Sequence, residues 1–227
     1  MTGWLDALVE RWPDMGPVLW LGTLDTLYMV AWATLVTAAL GLPLGVLLVC
    51  TDRGGLTPAP AVRALLGAVV NVGRSLPFIV LMVAVLSLTR LLTGTTLGPT
   101  AAIVPLSIGA IPFYARLVET ALREVGRDVV EAAQAMGARR TVIVAKVLLP
   151  EALPGLIAGL VMTVVTLISY SAMAGAIGGG GLGDLAIRYG YQRFDEYYLW
   201  ATVVLLVLVV QAVQSTGDLL VRRVSHR

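Results

Sequence analysis

The chain has 227 residues, 58% hydrophobic and only 13% charged, with a formal net charge of +2 and a mean hydropathy of +0.87. Soluble domains average about 25% charged residues, so the composition reads as an integral membrane protein, and the near-neutral charge gives nucleic-acid binding no electrostatic support. Cys50 is the single cysteine and His226 the single histidine, which excludes a disulfide framework, a cysteine-based metal site and a histidine-paired nucleophile.

A membrane span needs ~20 mostly apolar residues. Residues 1–21 come first, without the basic start and small-residue cleavage site of a signal peptide. Trp4, Leu5, Leu8, Val9 and Trp12 follow near-helical spacing with Trp20 close behind; they read as an interfacial helix or as an end with aromatic anchors. The first span is placed at 19–50 and is closed by Thr51-Asp52-Arg53-Gly54-Gly55 and Pro58. A second, at 61–92, is interrupted by Arg74, Ser75 and Pro77. The third, at 100–122, carries Pro105 and Pro112, which neighbouring helices can accommodate. The fourth and fifth are placed at 152–177 and 198–221. No internal repeat is evident, which argues against an inverted-repeat carrier.

Five spans put the two ends on opposite sides. With Arg227 in the cytoplasm, the inner side collects Arg53, Arg63, Arg123, Arg127, Arg139, Arg140, Lys146, Arg222 and Arg223. The outer side keeps Arg11, Arg90, Arg188 and Arg193. The positive-inside bias therefore predicts an external N-terminus and a cytoplasmic C-terminus.

Between the third and fourth spans lies a polar loop at about 124–150, including D-V-V-E-A-A-Q-A-M-G-A-R-R from Asp128. Asp128 is placed to cap a helix bearing Glu131 at its third position. Val129, Val130, Ala133 and Met136 then share one face, and Gly137 permits the turn that ends the helix. Ala132, Ala133, Ala135, Gly137 and Ala138 keep it slim enough to enter a groove on another protein. The alternative is a loop packed on its own bundle. Lys146, the sole lysine, is not preceded by a glycine-rich phosphate loop, so the chain lacks a Walker-type ATPase site.

Glu131-Ala132-Ala133, Gly137 and Leu149-Pro150 resemble the E-A-A-x(3)-G-x(9)-I-x-L-P signature of the membrane subunits of bacterial ABC importers, with Val147 where isoleucine is usual. The stretches R-S-L-P-F, V-L-L-P-E-A-L-P-G, S-Y-S-A-M and G-G-G-G-L-G-D-L-A-I-R-Y-G-Y look like the methionine-importing branch. The resemblance implies an all-α membrane protein of the type I ABC importer fold, one permease domain over residues 1–227 in a bacterial inner membrane. It implies transport rather than catalysis, with no cofactor of its own. ATP and Mg would be bound by two separate ATPase subunits. The other partners would be a second copy of the chain, an extracytoplasmic substrate-binding protein, an amino acid (methionine foremost) and membrane lipid. Glu131, Ala132, Ala133, Gly137 and Ala138 would sit in the ATPase cleft. A permease for another small amino acid, or a secondary carrier or channel, are the competing readings.

Three further features remain. The run from Gly175 to Asp184 follows the fourth span, not the position a phosphate-binding loop needs before a helix, and is expected to form a flexible external or re-entrant loop. Residues 187–197 are aromatic and charged, as an interface segment or an aromatic belt would be. Arg74 is costly at membrane depth and is assigned to a scaffold pair with Glu119 or backbone carbonyls, or to substrate. The fourth span offers Ser169, Tyr170 and Met173 for a translocation path or gate shared by two copies of the chain, although serines and threonines in membrane helices also bond their own backbone.

Overall fold

The computed structural model describes residues 2–225, with side chains described from Glu10 onward. Apart from short turns and linkers, these residues are helical. In chain order the elements are α1 (Thr2–Cys50), α2 (Pro60–Ser75), α3 (Phe78–Ala84), α4 (Leu86–Thr93), α5 (Pro99–Arg123), α6 (Arg127–Ala135), α7 (Arg140–Ile143), α8 (Leu149–Glu151), α9 (Leu153–Gly175), α10 (Gly181–Leu185) and α11 (Glu196–Val224). Widened π-turns occupy Val144–Leu148 and Ala186–Tyr191. The first immediately precedes Pro150, whose ring would otherwise meet the carbonyl four residues back.

Among the described residues, Glu10–Cys50, α5, α9 and α11 are each long and apolar enough to cross a membrane, and α2 with α3 makes a fifth if that bent pair is one span. Four of the expected spans have such a helix and the fifth rests on the bent pair, with two changes of detail. The backbone of α1 is one helix, so no separate interfacial helix precedes the first span; the side chains of Trp4, Leu5, Leu8 and Val9 lie outside the described ones. The second span is not one rod. It bends by 105° between α2 and α3, because proline forces Leu76 out of helical geometry to φ −81°, ψ 128°.

The chain forms two compact units. One comprises Met1–Ala33, Phe78–Leu106 and Val165–Ala212. Its core gathers Met15 and Leu19 from α1, Leu182 and Leu185 from α10, and Tyr198 from α11. The glycine run is packed into this unit rather than loose. Gly178, Gly180 and Gly181 adopt φ of 82°, 78° and 79°, which L-side chains rarely tolerate. The Leu182 N–H donates to Thr26 Oγ1 at 2.9 Å and the Gly98 N–H to the Gly178 carbonyl at 2.8 Å. A Cβ on Gly183 would lie 2.4 Å from the Ala172 Cα. The expected flexible loop is thus a close crossing of backbones that only glycine allows. In the segment after it, Tyr189 stacks on Tyr198 at 4.5 Å, and Arg193 lies over Tyr189 at 4.7 Å. Asp195 caps α11 through the N–H groups of Tyr197 and Tyr198 and accepts a 3.0 Å ion pair from Arg11.

The other unit comprises Thr34–Pro77, Ser107–Val164 and Val213–Arg227. Tyr114, Val118, Ala121 and Leu122 of α5 form its spine, meeting Cys50 and Leu56, then Leu148, Ala152 and Leu156. Helix α1 comes within reach of α5 at Gly45, where a Cβ would sit 2.5 Å from that of Val118. Ala133 and Ile143 of the polar loop belong to the same core.

Candidate functional site: the polar loop and the exposed face of helix α9

Helix α6 starts two residues earlier than the sequence pattern places it. Gly126 is its N-cap and offers no side-chain bond; Asp128 sits within the first turn, where a carboxylate complements the helix dipole instead of capping it. The far end follows expectation closely. Gly137 has φ +76°, its N–H donates to the Gln134 carbonyl at 2.9 Å, and the Ala138 N–H reaches back to the Ala133 carbonyl at 3.1 Å. This is a Schellman closure, accompanied by the usual apolar contact across the turn, because Ala133 and Ala138 both pack into the same core.

That closure divides the five candidate docking residues into two sets. Glu131, Ala132 and Gly137 are exposed, together with Gln134 and Met136, the latter 81% accessible. Ala133 is 4% exposed and faces the chain's own core with Val130, and Ala138 is half-buried against it. The inward face therefore runs through Val130 and Ala133, while Val129 and Met136 point outward. The loop is at once packed on its own bundle, through one face, and bare along the other. Beside it lies a cleft of about 250 Å³ walled by Asp52 and Gly54-Gly55-Leu56, by Leu122 and Arg123, and by Val130, Glu131 and Gln134.

A charge cluster that sequence reasoning did not assign lies in this unit. Glu119 is 3% exposed. It accepts from Arg63 Nη2 at 2.6 Å, from Arg116 Nη1 at 2.5 Å and from Arg123 Nη2 at 2.9 Å. Arg123 Nη2 also reaches Asp52 Oδ2 at 2.5 Å, and that hydrogen bond holds the Asp52 carboxyl below the usual carboxylate range. The expected pairing of Arg74 with Glu119 is absent: Arg74 is exposed at the end of α2, and the carboxylate is taken by the other three arginines. The R-x-x-E-x-x-x-R spacing of Arg116, Glu119 and Arg123 was the available signal.

On α9, Thr166, Ser169 and Met173 fall at i, i+3 and i+7, one stripe of the helix. Ser169 and Met173 are exposed, and Thr166 is half-buried. Ser169 Oγ donates to the Val165 carbonyl at 3.3 Å, so its hydroxyl is satisfied within the helix while the side chain faces outward. Tyr170 sits off the stripe, its ring stacked on Phe78 at 4.3 Å and 4° from parallel. Ser171 is buried and bonds the Ile168 carbonyl at 2.7 Å. The candidate path residues thus separate into an outward pair, Ser169 and Met173, and an inward-braced Tyr170.

Comparison with known proteins extends this picture. The "Probable D-methionine transport system permease protein MetI" of Vibrio cholerae is 59% identical over 220 residues, covering 96% of this chain and 98% of that protein. The "Methionine import system permease protein MetP" of Bacillus subtilis is 46% identical, covering 92% and 94%. Among solved structures, the MetNI methionine ABC transporter in an inward-facing conformation has a chain that superposes with a TM-score of 0.93 at 44% identity, covering 94% of this chain and 99% of that one. Residues 41–226 match the family model described as the binding-protein-dependent transport system inner membrane component. With most of its length matched and the helical architecture shared, the chain belongs to the family of inner-membrane components of binding-protein-dependent transport systems.

Proposed function

We propose that this chain is the membrane-spanning permease subunit of an ATP-driven methionine importer. The observation that carries the reading is the match, nearly end to end, to permeases named for methionine transport. The chain supplies the path, and separate ATPase subunits bind ATP and Mg. An extracytoplasmic binding protein delivers the amino acid, and the C-terminal end lies in the cytoplasm.

The exposed face of α6 is where the ATPase subunit docks. Glu131, Ala132 and Gly137 make the contact, and Ala133 and Ala138 anchor the helix from behind. The anchoring supports transmission, since a loop fastened to α5 and to the turn at Val144–Leu148 through a shared core moves those elements when it is moved. ATP binding and hydrolysis favour different arrangements of the docked subunits, and that differential interaction shifts the permease between outward- and inward-open states. The bare α9 stripe at Ser169 and Met173 supports a path formed with a second copy of the chain across a two-fold axis. There the thioether of Met173 offers a polarizable surface that adapts to an unbranched side chain. Tyr170, braced on Phe78, holds the stripe in position.

The test is uptake of radiolabelled methionine by the reconstituted complex of permease, ATPase and binding protein, competed by unlabelled amino acids. Competition by methionine alone is expected. Competition by lysine or glutamate, and none by methionine, would overturn the substrate while leaving the importer in place. Uptake that persists without the ATPase subunit would point to a carrier or channel.

A further inference from the structure

Helix α2 buries only Gly67 and Val70 of its sixteen residues. Val62, Leu65, Val69 and Val72 stay exposed. Apolar packing against α5 is confined to Val70 beside Ala115 and to the close approach of Gly73 to Pro112, and the side-chain hydrogen bonds between the two helices are the remaining attachments. Arg63 of α2 reaches Glu119 at 2.6 Å, and Asn71, about two turns further on, accepts from Arg116 Nη2 at 2.6 Å. Arg116 closes the link by its own bond to Glu119. Arg123 ties the same carboxylate to Asp52 in the turn between α1 and α2. One buried side chain thus gathers α2, α5 and the α1–α2 turn. Beyond Arg123, only Glu124, Val125 and Gly126 separate the end of α5 from α6.

We propose that Glu119 is a positioning residue for coupling: it makes α2 travel with α5 and the docked loop when the ATPase subunits drive α6. The inference rests on the permease reading above. A buried ionic cluster contributes little net stability compared with a well-packed apolar replacement, and its best-attested use is to set registry. That distinction matters here. Apolar helix faces can slide past one another, whereas charge-assisted hydrogen bonds to one carboxylate are directional and short-ranged. With Glu119 intact, displacement of the loop is imposed on α2. Without it, the ATPase subunits still cycle and α2 lags.

The experiment uses the complete complex with its binding protein, reading methionine transported per ATP hydrolysed alongside complex yield. Glu119→Gln keeps the side-chain shape and removes the charge. Transport per ATP should fall about fivefold or more, the lower end of the usual range for coupling between linked sites, with the complex still recovered. Arg63→Gln should lower the ratio in the same way, and the double variant should fall no further, because both changes cut one link. Should Glu119→Gln fail to assemble, Arg63→Gln and Asn71→Ala carry the test, each expected to lower the same ratio. A wild-type ratio in the recovered variants, or additive losses in the double variant, would overturn the role of Glu119. A wild-type complex that takes up no methionine would instead sink the methionine-importer reading itself.

Discussion

Two neighbouring alanines on α6 make the sharpest test of how the loop is built. Ala133 is 4% exposed within the cluster that holds Cys50, Leu56, Val118, Leu122 and Leu148. Ala133→Asp places a carboxyl among apolar side chains with no partner. Even protonated, it costs about 1–3 kcal/mol for the unmet polar group. Overfilling a packed site adds about 1–3 kcal/mol. The expected penalty is therefore about 2–6 kcal/mol, limited only by the energy of lifting α6 off the core. Ala132→Asp changes an exposed position and should alter stability by less than about 0.5 kcal/mol, yet it adds a second negative charge beside Glu131 on the docking face. Thermal unfolding in detergent and trypsin cleavage at Arg139-Arg140 report the first effect; co-purification of the ATPase subunit reports the second. Ala133→Asp should melt early and be cut quickly, while Ala132→Asp should melt normally and lose its ATPase. If Ala133→Asp melts like the wild type and loses only the ATPase, the assignment of faces is wrong. Normal ATPase recovery with Ala132→Asp would remove the loop from the docking surface.

Gly137→Val should weaken ATPase recovery by straining the turn: nothing lies within 4 Å of a Cβ there, so the cost is conformational, about 1–2 kcal/mol and more for a β-branched residue. Gly137→Asn, which tolerates left-handed geometry, should restore most of it; equal losses for both would show that side-chain bulk matters instead. Gly183→Ala should lower the melting temperature well beyond Gly94→Ala, since its Cβ meets Ala172 backbone at 2.4 Å whereas Gly94 has open space at φ +76°; equal shifts would refute the backbone crossing. For orientation, with Cys50 replaced, a cysteine at Phe194, 84% exposed, should react with an impermeant thiol reagent in intact cells, and one at Arg139 only after lysis. The reverse pattern would invert the topology.

The sequence alone was enough to identify a membrane protein, its long apolar helices and the existence of a helical loop ending at Gly137. These follow from local chemistry: runs of apolar residues are long enough to cross a bilayer, and a glycine after a short helix supplies the left-handed turn. The family was also legible, because the loop's spacing is contiguous in the chain. What periodicity did not decide is which face of α6 turns inward. It grouped Val129 and Met136 with Ala133, but those two point outward, because which part of the apolar side of α6 is covered is set by what α5 and the Val144–Leu148 turn offer. The glycine run looked like loose chain for a similar reason. Four glycines in a row carry no pattern, and only the approach of α9, α10 and Thr26 shows why nothing larger fits. Glu119 was seen as a possible mate for Arg74, yet its partners are Arg63, Arg116 and Arg123. Two of these lie on its own helix, within reach of the i, i+3 and i, i+4 rule; the third comes from α2, and a pairing across helices is decided by tertiary structure alone.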